Sequence, residues 1–222
     1  WDDNDSEENL SSLDDWAAAL YGDAGPPVRR AWSCFSRAFQ QFPFAIGTLY
    51  VAPQNTGPGN LLYAQPTGYR ATMVGFPYDD LERWKSIYPA EVFEEQFRLL
   101  SEGWQDGLEL VAEARAQSIG DNQAASRELH NVAQTAYAHF RSAYLQIRFV
   151  RLREQQPLPA AEIARVLDEE IALAKQMHAL ISEDSRLGYE ASNHYYYTPN
   201  SLREKVLNCE YLRRNLVAPN AE

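Results

Sequence analysis

Asp79 and Asp80 stand side by side at the end of a Pro- and Gly-rich stretch, and a carboxylate pair is the first constellation here with possible chemistry. Glycoside hydrolysis uses two carboxyl groups roughly 5–10 Å apart on opposite sides of the bond that breaks. Adjacent residues rarely supply that geometry. Glu82 follows Asp79 by three, so the spacing predicts a capping box, with Asp79 as N-cap and Asp80 in the first turn near the helix dipole. The four histidines, His130, His139, His178 and His194, form no HExxH pair and match no Cys/His zinc spacing. Glu170 and His178 lie eight residues apart, two turns along one helix, and His178 reads as a hydrogen-bonded core residue. There is no GxSxG elbow, phosphate loop or SxxK. No cofactor and no metal are expected.

Binding chemistry is better represented. Two segments, Tyr50–Leu81 and Asp184–Thr198, are dense in Tyr, Pro, Gly, Asn and single charges. Segments of that kind, held by a rigid scaffold, usually carry binding surfaces. From the second, Glu190, Asn193, His194 and Tyr196 are expected to converge with Asn55, Arg70 and Asp79 from the first. Aromatic faces that stack on a ring, beside planar polar groups that bind hydroxyls, suit a sugar. The alternative is structural: Tyr195–Tyr197 plug the end of a bundle, and Arg70 pairs with Glu190 or Asp79 to pin the loops.

The elements that must position these residues are helical. Apolar residues recur at helical spacing over about 10–20, 27–41, 89–118, 122–155, 160–183 and from Thr198–Pro199 onward. An Asp5/Glu8 capping box opens the first. Between Pro43 and Pro77 fall five of the twelve prolines and five of the eleven glycines, too many breakers for one continuous helix. Ala45–Val51 and Arg70–Val74 are expected to be extended. Gly103 and Gly107, four apart on an apolar face, suggest that another backbone passes closely. The prediction is an all-α antiparallel bundle in a single domain over residues 1–222, with a long irregular insertion over 43–79.

Composition narrows the partners. Twenty basic against 31 acidic residues give a net charge of −11, which argues against nucleic acid and against an anionic membrane. No apolar run approaches the roughly 18–20 residues that span a bilayer. Cys34 and Cys209 are expected to be buried free thiols. Arg148, Arg151 and Arg153 read as a solvated helix face, as do Arg213 and Arg214. The first residue is Trp1 rather than Met, so a leader or an upstream domain is expected.

Three stretches, Ala52–Pro58 (APQNTGP), Gly68–Asp80 (GYRATMVGFPYDD) and Arg186–Tyr195 (RLGYEASNHY), resemble the helical region that follows the catalytic barrel in some large bacterial glycoside hydrolases. The likeness runs from about Trp16 to Tyr211. It implies a scaffold domain whose loops, 52–80 and 186–197, face a glycan cleft or the neighbouring catalytic domain. The catalytic acid and nucleophile would belong to that barrel, so no catalytic role carries onto these residues. The alternative function is a structural or protein-interaction bundle without a small-molecule ligand.

Overall fold

The computed structural model describes residues 7–73, 75–188 and 198–217, with the backbone alone over 7–11. The fold is an all-α helical bundle, and no strand occurs among the described residues. Its helices are α1 (Glu7–Tyr21), α2 (Gly25–Phe39), α3 (Ile46–Val51), α4 (Leu81–Trp84), α5 (Ala90–Gln117), α6 (Asn122–Arg153), α7 (Ala160–Glu183) and α8 (Pro199–Leu212). Asp5 and the tail beyond Val217 lie outside the described residues. The chain divides into two compact units. One comprises Trp1–Gln41 and Leu99–Tyr137, the other Phe42–Arg98 and Ala138–Glu222.

In the first unit α1 packs on α2. Gly25 lets them approach, since a Cβ there would come within 3.0 Å of the Ala17 backbone. Tyr21, Ala24, Val28 and Ala114 form a buried cluster, with Trp32, Ala125 and Leu129 against it. Gly103 and Gly107 do mark a close approach, by the α2 backbone at Ala38 in the first case, its Cα 3.5 Å from a Cβ placed there, and by a side chain in the second. A Cβ at Gly107 would fall 2.4 Å from the Phe35 ring, and one at Gly103 would lie 3.1 Å from the Ala38 methyl. Phe35 then stacks on Trp104 with ring centroids 4.4 Å apart.

In the second unit α7 buries Ile163, Val166, Leu167, Ala174, Met177 and Ile181, the stripe that 3.6-residue periodicity marks. α8 packs on α7. Its start follows from sequence: Thr198 and Ser201 cap each other reciprocally, with Pro199 in the first turn. Phe93 and Phe97 meet edge-on at 5.1 Å, and Phe42 reaches Phe97 at 5.9 Å.

The Pro/Gly-rich stretch departs from expectation. Ile46–Val51 is a helix rather than extended, followed by 3-10 turns at Pro53–Asn55 and Gly57–Gly59. Tertiary contacts override its β-branched composition. Buried Thr48 donates its hydroxyl to the Trp84 carbonyl at 2.8 Å, and Gly47 leaves room for Ser86. Residues 70–73 form no helix or strand, and Val74 lies outside the described residues. The helix cap is also reassigned. Asp80, not Asp79, is the N-cap of α4, accepting from the Arg83 amide.

Candidate functional site

One stripe of α6 organises the second unit's irregular segment. His139, Gln146 and Arg153 recur every seven residues, with Ser142 between the first two, so they share a face over four turns. Each reaches a different part of the segment. His139 packs on Gly57, where a Cβ would come 2.4 Å from its Nδ1, so only glycine, at φ +51°, fits. Gln146 donates to the Gly57 carbonyl and the Ser142 hydroxyl, both at 2.9 Å. Asn60 donates to Gln146 Oε1 at 2.7 Å and to the Tyr78 carbonyl at 2.9 Å.

Beneath this stripe lies a fully buried ion pair. Lys205 of α8 sits 3.1 Å from Glu170 of α7, and both side chains are 0% exposed. Lys205 also donates to the Asn60 carbonyl at 2.5 Å, and the Ser142 hydroxyl lies 3.0 Å from both Glu170 oxygens. Burial pushes the Glu170 carboxyl upward, against the pull of Lys205 and Ser142. Such a pair is tolerable because further hydrogen bonds, from Ser142 to Glu170 and from Lys205 to the Asn60 carbonyl, support both charges. Cys209, one helical turn along α8, is a buried free thiol pushed up to about 12 by that burial. It is inert. Cys34 is free but only partly buried.

At the far end of the stripe Arg153 corrects the solvated-face reading. Its side chain is 3% exposed, paired with Asp79 at 2.7 Å and bonded to the Tyr63 carbonyl at 2.7 Å. Asp79 also accepts from the Thr67 amide at 3.1 Å and from the Thr67 hydroxyl. Burial pushes its carboxyl up, but the bonds from Thr67 and Arg153 outweigh that and hold it below the usual range. Asp80 accepts from the Ala71 amide at 2.9 Å. The adjacent aspartates are therefore staples: one fixes Thr67, the other Ala71. Gly68 (φ +69°), Tyr69 and Arg70 project between the fixed points, all exposed. Replacing Asp80 with alanine removes both a cap and a staple. It should cost about 1–2 kcal/mol in urea unfolding and accelerate hydrogen exchange at the Ala71 amide.

An open cavity of about 520 Å3 lies against this tip. Tyr69, Arg70, Asp79 and Asp80 line it together with Arg153 and Glu154 from the end of α6. Tyr69 packs one side of its ring on Tyr78, at 5.2 Å, and is 65% exposed. Arg70 has no ion pair among the described residues, so the expected pairing with Asp79 is overturned: Arg153 holds that carboxylate. Arg70 and Asp79 thus share one cavity. Asn55 does not line it, and its amide donates to the Leu49 carbonyl at 3.0 Å, closing the end of α3. Glu190, Asn193, His194 and Tyr196 lie outside the described residues, as do Tyr195 and Tyr197. His178 is only partly buried, and its shielded Nε2 finds no hydrogen-bond partner among the described residues. Arg148 and Arg151 are not a free basic face either, since both pair with Glu94. No cluster of three or more His, Cys, Asp or Glu among the described residues is placed to hold a metal. Among the same residues no helix is long and apolar enough to cross a membrane.

In comparisons with known proteins, no family model, curated protein or solved structure matches the chain.

Proposed function

We propose that this chain is a helical scaffold domain of a bacterial carbohydrate-active protein, with residues 66–82 bordering a glycan site next to a catalytic domain. One observation carries the reading: a rigidly stapled tip presents an exposed tyrosine and an arginine without an ion pair among the described residues into a polar cavity that also holds carboxylates. Sugars are bound by that combination, an apolar ring face beside planar donors and acceptors. The likeness of residues 52–58, 68–80 and 186–195 to barrel-following helical regions points the same way.

Titration calorimetry of the chain against a panel of oligosaccharides tests it. At least one glycan should bind, and Arg70→Ala should weaken it tenfold or more without altering the melting temperature, because no ion pair within the described fold is lost with it. Silence across the panel defeats the ligand reading. The second reading, a protein-interaction bundle, draws on a different feature. On α1 the residues Leu13, Trp16 and Leu20 form one stripe and are 43%, 65% and 45% exposed, an apolar surface of the kind that partners cover.

A further inference from the structure

The cavity beside the stapled tip has unequal capacity for different ligands, and its unspent groups define the difference. Asp79 and Asp80 accept hydrogen bonds from Thr67, Arg153, Ala71 and Arg83, so their oxygens are largely committed within the fold. Arg153 is committed to Asp79 and the Tyr63 carbonyl. What remains for a ligand is the Arg70 guanidinium, the open face and hydroxyl of Tyr69, and the Glu154 carboxylate, which is exposed and makes no ion pair among the described residues. Donors and acceptors are both on offer, which matches a hydroxyl group, able to give and receive.

Charge sets the second condition. Two arginines line the cavity against four carboxylates, those of Asp79, Asp80, Glu82 and Glu154. Arg153 cancels Asp79 at 2.7 Å, and Lys85 pairs with Glu82 at 3.0 Å, which leaves Asp80 and Glu154 facing Arg70. Among the described residues, an incoming group thus meets the Arg70 cation against an excess of negative charge, within a chain of net charge −11. A carboxylate entering there gains Arg70 but meets Glu154 and Asp80. Like charges in a partly desolvated site disfavour it. Resting on the glycan reading above, we infer that this site selects an uncharged sugar ring over its uronic acid counterpart, stacking it on Tyr69 and exchanging hydroxyl hydrogen bonds with Arg70 and Glu154.

The test uses the whole chain and matched pairs of methyl glycosides, glucoside against glucuronide and galactoside against galacturonide, with binding followed by calorimetry at constant salt. The neutral member should bind at least tenfold tighter. Tyr69→Ala should abolish most of that binding and Tyr69→Phe should keep it within about threefold, because the ring face rather than the hydroxyl carries the stacking. Glu154→Gln, at an exposed position, should narrow the neutral-to-acidic gap to a few-fold by admitting the uronate. Equal or tighter binding of the uronates overturns the inference and leaves the glycan reading standing, as does an unchanged gap in Glu154→Gln. Binding of neutral sugars that Tyr69→Ala does not weaken refutes the assigned stacking. Absence of binding by every glycoside removes the glycan reading itself, and the selectivity with it.

Discussion

Lys205→Met should cost the fold about 3–5 kcal/mol, the cost of leaving a buried carboxylate without its counter-ion. Lys205 and Glu170 are both 0% exposed, so neither can find water when the other is removed. The lost ammonium also strips the Asn60 carbonyl of a donor. Urea denaturation of the parent and variant measures the loss. Replacing both residues by methionine should recover a large part of it, since an apolar pair of similar volume removes the unpaired charge. A double variant as unstable as the single would contradict this account.

The same variant carries a pH signature. Burial already pushes the Glu170 carboxyl up, opposed by Lys205. Without the lysine it rises further, so the folded variant holds a proton that the unfolded chain releases near pH ~4. A folded-state value raised above the unfolded one gives stability that is full below the unfolded value and lost as pH rises through the folded one. The gap between variant and parent should therefore widen toward alkaline pH. A gap that is constant with pH would mean that Glu170 is not the group left stranded.

The helices are largely legible in the sequence, and particular residues show why the remainder is not. α7 and α8 announce themselves through Ile163, Val166, Leu167 and the Thr198–Pro199 start, all local signals. Their buried ion pair does not. Glu170 is singled out in the sequence only for its spacing from His178, nothing there marks Lys205, and only packing reveals that the two face inward together. α3 defies its composition because Ile, Thr, Tyr and Val favour strands on average, while the deciding bond runs from Thr48 to Trp84. Asp79 and Asp80 are the sharpest case. Either could cap α4 on local grounds, and the choice is made by Arg153, far along the chain, which claims Asp79. Tyr69 and Glu154 escape a reading of the sequence for the same reason, since the cavity is built from the stapled tip and the end of α6. A signal is nonetheless present. Polar His139, Gln146 and Arg153 at seven-residue spacing on a long helix mark a stripe that must contact something polar.

Acid should unfold the protein partly through that stripe. The His139 residue is only half-buried as a whole, yet its Nδ1 is shielded from solvent, and shielding of the nitrogen governs its protonation. Burial pushes its pKa down from 6.5 to about 4, with a hydrogen bond to the Gln54 backbone opposing. A folded-state value below the unfolded one means that the unfolded chain takes up the proton first. Stability from His139 is thus full above pH ~6.5 and lost as pH falls toward 4, in all about 3 kcal/mol. Protonation there forces a charge against Gly57 and the 3-10 turns, and through Asn60 it loosens the hold on the Tyr78 carbonyl beneath the aromatic tip. His130 is also held down, chiefly by burial, so both histidines contribute in the same direction. A comparison of variants separates them. His139→Gln should flatten most of the slope of unfolding free energy between pH 6.5 and 4, and His130→Gln should leave most of it. The Asp79 carboxyl, held below its ordinary value, begins to lose its stabilising effect only near pH ~5, where the unfolded chain's aspartate starts to protonate, so most of its contribution is lost below this window. If His139→Gln leaves the slope intact, the nitrogen is not shielded in solution and the stripe opens to water.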